Sequence, residues 1–320
     1  MGFQDLIHKV AETGRFGRHT ESLIPPMLDE AIRFPYGPFR FKVRLPKGAD
    51  YIILASTDLH TWSPLAKGTS DNGTLDYIDS EAFKYSYRFY RVQAGKLAST
   101  NVLGYASVTL PPGFSMIANP FDGPDNTISA LFKGWPDGTT FNKFDTRFFR
   151  LAENAIKFGK WSNTTEKLMP GEGGIFFNPT TDYKSASFVG EVQQGHLSIP
   201  IPAGFSIRSS ILPQPGSLED LGFPIANGDV IHLFDRDRQK YLLYPFENGK
   251  WTEGTPVTSV GESFWVAKTE PGNWNRSVAI ESEIEPAPSG ELGPVKGKKL
   301  FGLFSRRAAA SGQASLSPQR

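Results

Sequence analysis

The chain has 320 residues, enough for two or three domains. Its formal net charge is +1, so no global field draws it to nucleic acid or a membrane. It has no cysteine, which excludes a disulfide framework and a thiolate metal site.

Glycine (32) and proline (25) are both abundant, and aromatics make up 13%. That mixture suits many short strands joined by tight turns. An all-β chain is expected. No apolar run is long enough to span a bilayer. Met1-Gly2-Phe3-Gln4-Asp5 lacks the basic and apolar regions of a signal peptide. Either the protein is not exported by that route or a signal has been removed. Met1-Gly2 does not read as a myristoylation site, because Leu6 stands where Ser or Thr is needed.

Residues 1–34 read as a short helical arm. Phe3, Leu6, Ile7 and Val10 share one helical face. Gly14 and Gly17 end that helix. Pro26 opens a second, with Leu28, Ala31 and Ile32 inward.

From Phe39 the period changes to two. Phe39, Phe41, Val43 and Leu45 alternate with Arg40, Lys42 and Arg44, as in a strand with one wet face. Tyr51 to Thr57 reads as a second strand, and Trp62 lies in a third. Asp71-Asn72-Gly73 signals a hairpin turn. Tyr85 to Val92 closes the unit. The Trp62 strand and Tyr87-Arg88-Phe89-Tyr90-Arg91-Val92 resemble a fibronectin type III-like β-sandwich over residues 35–95, short for such a domain. Ala94 to Asn101 reads as a polar linker.

Two homologous β modules are expected next, at 105–192 and 197–282. Phe144-Asp145, Gly159-Lys160-Trp161 and Gly171-Glu172 return 90 residues later as Phe234-Asp235, Gly249-Lys250-Trp251 and Gly261-Glu262. Gly113-Phe114-Ser115 returns 91 residues later as Gly204-Phe205-Ser206. Each copy reads as five to seven short strands around aromatic residues, in a sandwich or barrel-like module. Together with Pro136-Asp137-Gly138-Thr139, Pro170 to Phe177 and Phe188 to Val192, these motifs resemble tandem β-repeat modules of bacterial secreted and surface proteins. The resemblance implies a non-enzymatic, extracellular or cell-surface setting. It transfers no catalytic residue.

Residues 283–320 read as a flexible basic-aromatic tail. Lys298, Lys299, Arg306 and Arg307 flank Leu300, Phe301, Leu303 and Phe304. Such a segment docks in a protein groove, lies on an anionic membrane, or is a frayed end. The protein groove is favoured, because few cations without a second anchor bind lipid weakly. Nucleic acid is disfavoured.

No catalytic constellation stands out. The five histidines are scattered. Asp235 and Asp237 suit a turn better than a calcium site, since Arg147 replaces the second in the other repeat. Glu172 and Glu262 are expected to bond turn amides, or to pair with Lys160 and Lys250. Trp161 and Trp251 have two readings, a glycan-stacking platform or a core plug, and the core is favoured. The expected role is non-catalytic and without cofactor: a structural or adhesive protein in a surface layer, matrix or larger assembly. The competing role is carbohydrate binding through exposed aromatics.

Overall fold

The structure, a computed structural model, describes residues 24–34 and 37–278. The chain opens with β1 (Met27–Arg33), β2 (Phe39–Arg44), β3 (Asp50–Ser56), β4 (Ser63–Thr69) and β5 (Thr74–Asp79). A 3-10 turn at Ala82–Lys84 leads into β6 (Tyr87–Ala94), the short β7 (Leu97–Ala98) and β8 (Leu103–Leu110). Strands β1, β2 and β5 form one antiparallel sheet. It faces a second sheet carrying β4, β3, β6 and β8. Alternation decides which side chains enter the core between them. Phe39, Phe41 and Val43 go in, against Ile53, Tyr90 and Tyr105. At its edge Asp79 is buried, pairing with Arg88 at 2.7 Å and accepting the Tyr90 hydroxyl at 2.7 Å.

Three local expectations are corrected. The segment after Pro26 is strand β1, not a helix. Leu28 is buried but Ile32 is exposed, and a bulge separates Asp29 from Ile32. Pairing with β2 satisfies its backbone, which outweighs the short helical spacing. The Phe3–Val10 helix lies outside the described residues. Asp71-Asn72-Gly73 does turn the chain, with Gly73 at φ 88°, but it joins β4 to β5 in opposite sheets and makes no hairpin. Ala94 to Asn101 is not a linker. The chain reverses at Gly95, β7 returns along β6, and buried Asn101 bonds both backbone groups of Leu28.

The first repeat contains β9 (Gly113–Ile117), one helical turn α1 (Ile128–Leu131), β10 (Thr140–Asp145), β11 (Arg150–Lys157), β12 (Lys160–Trp161), β13 (Gly174–Asn178) and β14 (Lys184–Glu191). The second contains β15 (Gly195–Ile201), β16 (Gly204–Arg208), β17 (Gly216–Ser217), β18 (Val230–Asp235), β19 (Lys240–Glu247), β20 (Lys250–Trp251), β21 (Val257–Thr258), β22 (Phe264–Lys268) and β23 (Gly272–Val278). Their five-stranded sheets run β9-β13-β10-β11-β12 and β16-β22-β18-β19-β20, the same order. The register repeats as well. Phe141 opposes Phe176 as Ile231 opposes Val266, and Ile156 opposes Trp161 as Phe246 opposes Trp251. Each repeat also has a leading strand paired with its last: β8 with β14, and β15 with β23. Because β8 also pairs with β6, the N-terminal sheet continues into the first repeat as far as β14. Strands β1 and β8, which complete these two sheets, both lie outside residues 35–95.

The repeats face each other about a local pseudo-twofold axis. The Ala118 amide donates to Gly261 O at 2.9 Å, and its twin Ser209 donates to Gly171 O at 3.1 Å. A Cβ on Gly171 would meet Ile199, and one on Gly261 would meet Val108, the twin of Ile199. One core runs through both copies, with Ile117, Phe141 and Phe176 joined by Ile231, Phe264 and Val266. Among the described residues, no helix is long and apolar enough to cross a membrane.

Candidate functional site

Along one side of the contact between repeats lies an open cavity of about 240 Å³, lined by Phe144, Phe149, Phe205, His232, Tyr241 and Trp265. Four of these come from the outer face of the second repeat's sheet. His232 on β18 lies directly opposite Trp265 on β22, with Phe205 on β16 diagonal to Trp265 and Tyr241 on β19 diagonal to His232. Period-two alternation brings them to one face while Ile231, Phe264 and Val266 go into the core. The first repeat contributes Phe144 and Phe149 from its β10–β11 hairpin.

The rings pack edge to face. Phe144 meets Trp265 with centroids 4.8 Å apart, Phe144 meets Phe149 at 5.3 Å, and Phe149 meets Phe205 at 6.2 Å. Such T-shaped contacts fix the rings and leave faces open to solvent. Phe149 remains 65% exposed and Phe205 40%.

Phe149 also sits in the left-handed region, at φ 51°. That conformation is unfavourable for a bulky side chain. The turn imposes it. Asp145 accepts the Arg147 and Phe148 amides, and the chain must then reverse into β11. The twin turn is built alike, with Asp235 accepting the Asp237 and Arg238 amides and Gln239 at φ 51°. Gln239 reaches across to bond both backbone groups of Phe114 at 2.8 Å, just as Phe149 reaches Phe205, the twin of Phe114. The two seams match in backbone but not in chemistry. Trp265, His232, Tyr241 and Phe149 have the twins Ile175, Asn142, Leu151 and Gln239. Among the described residues, the Phe149–Phe205 seam is a continuous aromatic surface and its twin, with Gln239 and Ile175, is interrupted.

Two polar side chains border it. The Trp265 indole N–H donates to the Tyr241 hydroxyl at 3.2 Å, leaving the Tyr241 proton free to donate outward. Burial raises the Tyr241 pKa, so that proton stays in place. Burial lowers the His232 pKa below its usual 6.5, which keeps its ring neutral at neutral pH. The seam therefore offers apolar ring faces, a hydroxyl donor and a neutral imidazole. This chemistry holds a ring that is apolar on its faces and polar at its edge.

The residues singled out from sequence lie elsewhere. Trp161 and Trp251 are buried, at 7% and 9% exposure. Trp161 packs on Phe132 and Trp251 on Phe246. Both belong to the core shared by the repeats. Lys298, Lys299, Leu300, Phe301, Leu303, Phe304, Arg306 and Arg307 lie outside the described residues. Glu172 and Glu262 do cap turns, accepting the Met169 and Ser259 amides. Their cationic partners are Lys143, on β10, and Arg236, in the turn after β18, not Lys160 and Lys250. Among the described residues no three His, Asp or Glu side chains gather as a metal set.

Comparison of the chain with family models, with curated proteins and with solved structures gives no match in any of the three. The site therefore rests on its own geometry. The sequence does hold a signal for it, in the differences between the repeats. Where one copy has Ile, Asn and Leu on alternating outward positions, the other has Trp, His and Tyr.

Proposed function

We propose that this chain is a non-catalytic carbohydrate-binding protein whose sugar platform is the aromatic seam. The observation that carries this is the joining of Phe144 and Phe149 from one repeat with Phe205, Tyr241 and Trp265 from the other around a single open cavity. A sugar ring has apolar C–H faces and a rim of hydroxyls. Aromatic faces bury the former, while Tyr241 and His232 meet the latter. The cavity lies below the roughly 300–1,000 Å³ typical of sites that enclose a small molecule. It suits one ring of a longer chain lying across it.

A structural or adhesive role is a compatible second reading, supported by the continuous β4-β3-β6-β8-β14 sheet and the core shared by both repeats. These couple the units without a free linker. The order β1-β2-β5 against β4-β3-β6-β8 supports reading the first unit as fibronectin type III-like. An extracellular, cell-surface setting would follow from that likeness and the tandem repeats.

The test is a glycan array probed with the parent, Trp265→Ala and Phe149→Ala. The parent should bind a defined set of neutral glycans. Both variants should lose that binding while remaining folded, with cooperative thermal melts. A parent that binds nothing, or a Trp265→Ala variant that binds as the parent does, would leave the scaffold reading in its place.

A further inference from the structure

A second cleft lies away from the seam, where the N-terminal unit meets the first repeat. It holds about 660 Å³. Its floor is the stretch of β8 and β14 that runs past the end of the core between the N-terminal sheets. There the inward positions change from Leu103 and Tyr105 to Ser107 and Thr109, with Ser185 and Ser187 beside them on β14. Ser107 and Ser187 are directly opposed, with hydroxyls 3.0 Å apart. The floor is a patch of hydroxyls on a rigid sheet.

The walls are aromatic and cationic. On one side stand Phe83 and Tyr85, and on the other Trp135. Trp135 is held edge-on to Phe176 at 4.7 Å, and Lys184 lies 5.6 Å from the centre of its ring. Arg33, Lys84 and Lys133 complete the lining, which holds no acidic side chain. Lys84 pairs with Glu81 at 2.6 Å. Among the described residues no carboxylate pairs with Arg33, Lys133 or Lys184. The Arg33 guanidinium lies 4.4 Å from the centre of the Tyr105 ring and donates from Nη2 to Ala82 O at 3.4 Å, while its Nε and Nη1 are buried with no acceptor. A chain of net charge +1 thus concentrates uncompensated positive charge in one cleft.

We propose that this cleft binds an acidic oligosaccharide, one carrying carboxylate or sulfate groups. Trp135 and Tyr85 stack on its rings, the hydroxyl floor bonds its hydroxyls, and the cations take its charge. Each ingredient alone is common on protein surfaces. Their convergence in a cleft within the size range of ligand sites sets this place apart. The proposal stands on its own residues and does not depend on the seam. A nucleic acid is less well matched, since few cations line the cleft and the chain's net charge is only +1.

The test is calorimetric titration of the full chain with an oligogalacturonate hexamer, a heparin-derived hexasaccharide, cellohexaose and a short DNA duplex. One or both acidic saccharides should bind and cellohexaose should bind weakly at this cleft. Which of the two binds tells carboxylate from sulfate. Affinity for the acidic ligand should fall about tenfold when salt rises from low to several hundred millimolar, as screening requires. The Lys133→Glu/Lys184→Gln double variant should lose about tenfold or more in affinity. Trp265→Ala should leave it unchanged, which separates this cleft from the seam. The proposal is overturned if neither acidic saccharide binds, if binding ignores salt or the double variant, or if the DNA duplex binds as tightly.

Discussion

Gly173 and Ser263 are twins that face one another across the pseudo-twofold axis. A Cβ placed on Gly173 would lie 2.2 Å from the Cβ of Ser263. Two side chains cannot share that point, so one copy has a side chain there and the other has none. Gly173→Ser is expected to destabilise the protein by roughly 1–3 kcal/mol through overpacking. Ser263→Gly should cost less. The exchanged pair, Gly173→Ser with Ser263→Gly, should recover most of the loss, because the side chain then enters from the opposite side. Urea unfolding midpoints of the three variants test this. A neutral Gly173→Ser would mean that the twins do not meet.

Trp161 and Trp251 plug the ends of their own sheets. Trp161→Ala and Trp251→Ala are each expected to cost roughly 3–5 kcal/mol, with a cavity left behind. Trp265→Ala, on the open seam, should cost far less. Thermal melts of the three variants compare buried with half-buried indoles directly. Equal losses for Trp251 and Trp265 would contradict the burial pattern on which the site rests.

The all-β character and the duplication were legible in the sequence because period-two alternation and turn residues are local signals. Phe39, Phe41 and Val43 show the first. The fixed spacing from Trp161 to Trp251 shows the second. The pairing of β8 with both β6 and β14 was not legible. It joins strands far apart in sequence, and alternation does not name a partner. β1 was misread because Leu28, Ala31 and Ile32 fit a helical spacing over a segment too short to distinguish the periods. The seam was hidden for a different reason. Phe144, Phe149, Phe205 and Trp265 lie in strands and turns that read as aromatic core. Only the sheet face, and the pseudo-twofold that brings one hairpin onto the other copy, show that they point outward together.

Phe158 records a similar departure from its twin. It is 96% exposed and sits at φ 54°, followed by Gly159 at φ 73°. The second repeat has Asn248 and Gly249 there, at 52° and 76°. Two successive left-handed residues make the hairpin turn that Asn-Gly favours. Phe158→Asn is therefore expected to stabilise the protein by roughly 1 kcal/mol, the order of the left-handed cost for an ordinary residue. Chemical denaturation measures it. An unchanged or lowered stability would show that exposed Phe158 makes contacts that offset its backbone.

Lys268 and Asp229 form a buried ion pair in the second repeat, where the first has Asn178 and Thr139. Asp229 also accepts the Ala226 and Thr269 amides and the Thr269 hydroxyl, and Lys268 donates to Pro224 O. Burial pushes the Asp229 pKa up, but Lys268 and these donors outweigh it and hold the pKa below the usual 3.8. The folded state therefore binds the proton less readily than the unfolded chain. Stability from this group is fully present above the unfolded value and is lost as pH falls through the folded one. Lys268→Met leaves a buried carboxylate without its cation and should cost roughly 3–5 kcal/mol. It should also remove Lys268's share of the acid sensitivity. Replacing both residues with a neutral pair, Asp229→Asn with Lys268→Met, should cost less than Lys268→Met alone, because the Asn carbonyl oxygen still accepts a backbone amide and no unpaired charge is left buried. Unfolding free energies from pH 2 to 7 for parent, single and double variants check the order. A double variant as damaged as Lys268→Met would show that the loss does not come from the unpaired carboxylate.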